Sequence, residues 1–313
     1  MKKNKLIRLR KKFIIYNIDG YIIPKNDEFF GEYVDPSNER LKYLTGFSGS
    51  AGQALVLKNK AFLFVDGRYT LQAQKEIKKG FKMVEIHKTK PLEILKKNKK
   101  KLIIGFDPKL YTQAILTNLF VSKNVKLIPI KTNLIDKIWS NRPKLKFNKF
   151  FILKTRYVGQ SYEHKINLIC NILKKKKLKN LLITAPENVA WLLNVRGKDS
   201  SYSPIPNCNA IINYKKKVTL IVKNSKINEN FKSHFGKNLK YLNPSNIIEY
   251  LDGLNSEENF LIDKMTCSLF YKEKIAKKFK YVEKIDPIFF LKSKKNNVEI
   301  NNTIKSHISD GVA

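Results

Sequence analysis

The sequence predicts an α/β protein built from two tandem units, each a mixed β-sheet with flanking helices. Three observations carry this. Amphipathic helical stretches alternate with short runs rich in Val, Ile, Leu and Phe, the pattern of helices packed on a sheet. A polar, proline-containing run, Pro143 to Asn148, breaks the chain near its middle. A short helix with an aromatic–Leu pair, a glycine turn and a β-hairpin recur in the same order in both halves. Composition agrees: 313 residues, 42% hydrophobic and 28% charged, suffice for two cores.

In the first half, Leu6, Leu9, Phe13 and Tyr16 share one face of an opening amphipathic helix. The N-terminus is basic like a signal peptide, but its apolar part is short and lacks a small-residue cleavage site. Tyr21–Pro24 reads as a strand ended by proline. Arg40–Leu44 reads as a short helix running into Gly46, Gly49 and Gly52, which is turn chemistry. Ala54–Leu57 and Ala61–Val65 then form a hairpin around Lys58-Asn59-Lys60. Asp66-Gly67-Arg68-Tyr69 closes it, and a helix starts at Thr70. Strands follow at Met83–Ile86, Leu102–Gly105 and Val125–Ile128, with helices at Pro91–Lys97, Tyr111–Val121 and Asn133–Trp139. The glycine loop fits neither a P-loop nor G-x-G-x-x-G, so tight helix-to-strand packing is a stronger reading than phosphate binding.

In the second half, Glu187–Gly197 mirrors Glu39–Phe47, and a hairpin over Ala210–Val222 mirrors Ala54–Val65. The intervening loop, Lys198–Asn209, is longer and is held by Pro204 and Pro206. Arg196 and Asp199 sit in its turn beside Tyr202, where they can form a structural Arg–Asp pair. Leu261–Asp263 reads as a strand before a helix over Thr266–Lys278.

The formal charge of +36 is of the kind that attracts polyanions. Only seven of the 62 Lys and Arg residues are arginine, whereas nucleic-acid readers favour the bidentate guanidinium. The lysines are scattered without interleaved aromatics, so a solvated surface is the main reading. Cys170, Cys208 and Cys267 lack C-x-x-C spacing, and their odd number gives no disulfide framework, which points to a reducing cytoplasm. His87, His164, His234 and His307 are too scattered for local metal-ligand spacing.

Tyr43-Leu44-Thr45-Gly46-Phe47-Ser48-Gly49-Ser50-Ala51-Gly52, followed by Asp66-Gly67-Arg68-Tyr69, closely resembles the N-terminal domain of the Xaa-Pro aminopeptidases (aminopeptidase P), shared more loosely with creatinase and prolidase. Trp191–Asp199, with Tyr202 and Pro204, resembles the second domain of the three-domain members. The resemblance implies a creatinase N-terminal-like domain I over residues 1–142, a domain II over residues 143–290, and the start of a catalytic domain over residues 291–313. It implies hydrolysis of peptides with proline second by two divalent metals, manganese expected, held by two Asp, one His and two Glu downstream of this segment. Asp263, Asp286 and His307 are read as far apart and unsupported by any metal motif. No catalytic or metal-binding residue is therefore expected in this chain, and Arg196, Asp199 and Tyr202 are its candidates for shaping a substrate pocket. Phe29 and Phe30 stand where similar sequences carry a histidine and a small polar residue.

Val298, Ile300, Ile304, His307 and Ile308 would form one face of a helix whose packing partners are missing, so the chain is expected to be a fragment or a partial reading frame. Its expected partners are its own catalytic domain, a second copy in a homodimer of the full-length protein, and short proline-containing peptides. No specific nucleic acid and no membrane are expected. The alternatives are a free-standing non-catalytic peptide- or partner-binding module and a basic RNA- or membrane-surface-binding protein.

Overall fold

The structure, a computed structural model, describes residues 4–145 and 148–312; residues 146 and 147 of the expected linker lie outside the described residues. The chain divides into two compact units, Met1–Leu145 with Ser268–Phe270, and Lys146–Cys267 with Tyr271–Ala313.

The first unit opens with α1 (Lys5–Tyr16), which buries Leu6, Leu9 and Phe13 as their spacing predicts; the Asn4 side chain caps it by accepting the Leu6 N–H. There follow β1 (Gly20–Pro24), α2 (Arg40–Thr45), β2 (Gln53–Leu57), β3 (Ala61–Val65), α3 (Thr70–Glu76), β4 (Lys82–Glu85), α4 (Pro91–Lys96), β5 (Leu102–Phe106), α5 (Gln113–Phe120) and β6 (Val125–Pro129). The strands form one sheet in the order β4-β3-β2-β1-β5-β6. The β1–β2 and β2–β3 pairs are antiparallel, and the other three are parallel. Alternation along the strands sends Tyr21, Ile23, Val56 and Leu63 to one core, and Ile22, Leu55, Phe62, Phe64 and Ile104 to another. Both faces are covered, so these strands read in the sequence as unbroken apolar runs.

The second unit comprises β7 (Phe151–Ile152), α6 (Thr155–Val158), α7 (Tyr162–Lys175), β8 (Asn180–Ile183), α8 (Pro186–Leu193), β9 (Val195–Arg196), β10 (Asn209–Asn213), β11 (Val218–Ile221), α9 (Glu229–Phe235), β12 (Leu239–Leu242), α10 (Ile247–Asp252), β13 (Asn259–Asp263), α11 (Leu269–Ala276) from Tyr271 on, β14 (Lys280–Lys284), α12 (Pro287–Ser293) and α13 (Asn297–Val312). Its six-stranded sheet runs β12-β11-β10-β8-β13-β14, with the same senses of pairing. Strand for strand this is the first sheet again, with β8 in the place of β1 and the β10–β11 hairpin in that of β2–β3. A small β7–β9 pair is added. Cys170 and Cys208 lie buried in this unit's core and form no disulfide.

Three elements depart from the sequence reading. The helix expected over Asn133–Trp139 is only a 3₁₀ turn, Asp136–Ile138, preceded by a bond from the Ile135 N–H to the Asn133 side chain. Local side-chain bonding of this kind competes with the helix. The helix expected from Tyr111 begins at Gln113, because Thr112 caps it by accepting the Ile115 N–H. The helix expected over Thr266–Lys278 spans only Leu269–Ala276. At the other end of the second unit, Ile300, Ile304, Ile308 and Val312 recur every fourth residue along α13 and are all exposed.

Candidate functional site

The glycine loop of the first unit is built for close packing. Gly46 ends α2 in the left-handed region at φ 90°, and a Cβ there would lie 2.5 Å from the Glu76 carbonyl oxygen. A Cβ on Gly49 would lie 2.3 Å from the Phe47 ring, which packs edge-on against Tyr69 with centroids 5.6 Å apart. A Cβ on Gly52 would meet the same ring and the Phe64 carbonyl oxygen, each at 3.1 Å. An anion already sits in this loop. The Glu76 carboxylate accepts the Ser48 N–H at 2.7 Å and the Ser48 hydroxyl at 2.6 Å, with Gln72 Nε2 donating to it at 3.0 Å. Burial opposes ionisation of Glu76, yet these donors hold its carboxyl below the usual carboxylate range. A phosphate would have to displace a tethered side chain.

Asp66 caps the following turn by accepting the Arg68 N–H and pairs with the Arg68 guanidinium at 2.7 Å on the surface. Gly67 opens the 3₁₀ turn Gly67–Tyr69 between them. A second charged group was not legible in the sequence. Arg40, only 3% exposed, donates from Nε to Asp136 at 2.8 Å and from Nη2 to Glu28 at 2.9 Å, and Arg142 reaches Asp136 at 2.8 Å. Burial works against the guanidinium, but Glu28 and Asp136 keep it protonated. This group ties the loop after β1 and the segment around Asp136 to the start of α2.

In the second unit, Arg196 and Asp199 do not bond to each other among the described residues. Arg196 Nη1 donates to the Ala190 and Val195 carbonyl oxygens at 3.0 and 2.9 Å. The Asp199 side chain is buried against Lys226 at 2.5 Å and accepts the Asn207 N–H at 2.7 Å. The reason is local: α8 ends at Asn194 in the left-handed region, its last carbonyls need donors, and Arg196 emerges from that turn beside them. Lys165 serves the same end. Its Nζ donates to the Trp191 carbonyl at 3.0 Å and to Asn194 Oδ1 at 2.7 Å, and lies 4.3 Å from the Trp191 ring centroid. Burial pulls the Lys165 ammonium down to about 8. Asp199 and Lys226 meanwhile close the long loop that carries Tyr202, which is 79% exposed. Of the three candidates, two are therefore committed to holding the turn, and Tyr202 stands toward solvent.

Asp263 and Asp286, expected from the sequence to be far apart, are in direct contact. The Asp286 N–H donates to Asp263 Oδ2 at 2.6 Å. Their carboxylates are nevertheless consumed: Asp263 Oδ1 accepts the Met265 and Thr266 N–H groups, while Asp286 accepts the Ile288 N–H and the Asn188 amide. Burial raises the Asp286 carboxyl to about 6. Exposed His307 lies on α13. Among the described residues no group of three or more His, Cys, Asp and Glu side chains could hold a metal ion, so these residues do not fit a dinuclear centre.

Two like sheets, each carrying a tightly packed helix–turn–hairpin, define a duplicated α/β scaffold. The chain belongs to the Creatinase/Prolidase N-terminal domain family, which matches it twice, over residues 5–138 and over residues 141–299. Its relatives are Xaa-Pro aminopeptidases. It is 30% identical to the probable Xaa-Pro aminopeptidase P of Coprinopsis cinerea, over 98% of this chain and 53% of that protein. Identity to Xaa-Pro aminopeptidase 1 of Dictyostelium discoideum is also 30%, over 99% and 51% respectively. With Xaa-Pro aminopeptidase ApepP of Drosophila melanogaster it is 32%, over 95% and 50%. The chain thus spans about half the length of the curated relatives it matches. Among solved structures, the X-prolyl aminopeptidase of Caenorhabditis elegans, described as a cytosolic enzyme with a di-nuclear active site, shares the fold with a TM-score of 0.88. It is 24% identical, over 97% of this chain and 53% of that one.

Proposed function

We propose that this chain is the N-terminal, non-catalytic part of a cytoplasmic Xaa-Pro aminopeptidase. The full protein would remove the N-terminal residue from peptides with proline in second position, using two divalent metals, manganese first among them. One observation carries the reading: identity of 30–32% to proteins named Xaa-Pro aminopeptidases runs through 95–99% of the chain. In this role the two sheets are walls that limit the site to short peptides and supply contacts for a homodimer. Arg196 and Asp199 brace the second-unit turn from within, and Tyr202 is the side chain that the turn offers to a peptide.

The purified 313-residue chain, assayed with Mn²⁺ on Xaa-Pro peptides, is expected to show no enzyme-like turnover; such turnover would overturn the assignment of catalysis to another segment. Reading the gene beyond Ala313 tests the larger claim. An open frame encoding two Asp, one His and two Glu ligands supports it, and an immediate stop codon replaces it with a free-standing module that binds peptides or a partner.

A further inference from the structure

The outward face of α1 is unlike the rest of the first unit's surface. With about 100° of rotation per residue, Ile7, Lys11, Ile14 and Ile15 fall within roughly 100° of arc, opposite the buried Leu6, Leu9 and Phe13. Ile7 is 53% exposed, Ile14 84% and Ile15 70%. Basic side chains rim and interrupt this stripe: Arg8, Lys11 and Lys12 take part in no ion pair among the described residues. The first 18 residues contain seven Lys and Arg and no Asp or Glu. Beside the helix, Asp19 is already paired with Lys58 at 2.6 Å.

We propose that this face is a peripheral docking face for an anionic lipid surface. A basic helix with exposed isoleucines lies in the plane of a bilayer interface, with its apolar side chains in the acyl boundary and its cations among the headgroup phosphates. A helix lying flat in the interface needs no membrane-spanning stretch. Charge complementarity favours this occupant over a second copy of the chain. A twofold contact would press the same face against itself, setting Arg8, Lys11 and Lys12 against their own equivalents, with no carboxylate on the helix to relieve them. The proposal is independent of the aminopeptidase reading.

The test is co-sedimentation of the purified chain with vesicles of phosphatidylcholine alone, or with about one-third phosphatidylglycerol, at physiological salt. Binding to the anionic vesicles is expected, and weak binding to the neutral ones. Ile14→Ser with Ile15→Ser removes apolar surface without changing charge, and should lower the partition into anionic vesicles roughly tenfold. Lys215→Gln with Lys217→Gln, in the β10–β11 turn, should change it less than about twofold. Unchanged thermal unfolding of the isoleucine variant shows that it folds. The proposal fails if the chain ignores anionic vesicles. It fails equally if the isoleucine variant binds like the parent, since general basicity then suffices. A parent dimer that the isoleucine variant splits, seen by light scattering, would assign the face to a second copy instead.

Discussion

Asp199 and Lys226 are buried together at 2.5 Å, and removing one partner leaves the other charged and desolvated. Asp199→Ala is expected to cost roughly 3–5 kcal/mol of stability, measured by urea unfolding; a cost below about 1 kcal/mol, the level of a surface pair, would show that the contact is solvated. Asp286 makes a pH-dependent contribution. Its carboxyl titrates at about 6 in the folded chain because burial disfavours the charge, against an ordinary value of 3.8. Between those values the folded state holds more protons than the unfolded one, so this group's contribution falls as pH rises through the window. Asp286→Asn keeps an oxygen for the Ile288 N–H and cannot ionise. Its stability relative to the parent should therefore improve from about pH 4 to about pH 7, and an opposite trend across a pH series of melting curves would refute the burial argument. At this scale the sequence was only partly legible. Arg196 and Asp199 could be singled out by their turn, but Asp199's partner lies 27 residues on, in a stretch with no pattern of its own. Lys165 did leave a signal, as a lone cation on the apolar face formed by Tyr162, Ile166, Ile169 and Leu173 in α7.

The glycine loop can be read at the level of the element it joins. Gly49 sits where the Phe47 and Tyr69 rings leave no room for a methyl group, so Gly49→Ala must push apart the helix-to-strand junction. The expected cost is about 1–3 kcal/mol, seen as a lowered unfolding midpoint; a neutral result would mean that Phe47 can re-seat. Hairpins and sheet-flanking helices were legible because strong periodicity and turn residues mark them. The 3₁₀ turn Asp136–Ile138 was not, since the Asn133 side chain and the ion pairs of Asp136 override an apolar pattern that reads as helix. The β7–β9 pair is two residues long in each strand, too short for periodicity to show.

For the whole molecule, duplication was the most legible feature, because the aromatic–Leu helix, glycine turn and hairpin survive in both halves and the two sheets share one strand order. Sequence pattern did not reveal how the charged groups pair, since that depends on loops meeting in space. The net charge of +36 makes self-repulsion a property of the entire surface. Added sodium chloride is therefore expected to raise the thermal midpoint steadily up to about 0.5 M, as the Debye length shrinks below typical spacings between surface charges; a midpoint that falls with salt would show that specific ion pairs outweigh the repulsion.

Cys170 and Cys208 sit in the second unit's core, where burial pushes both thiols up, away from the reactive thiolate. An alkylating reagent can reach them only while that core is open. The speed at which iodoacetamide consumes these two sulfurs is thus a clock for native-state breathing of the second unit, readable by mass spectrometry.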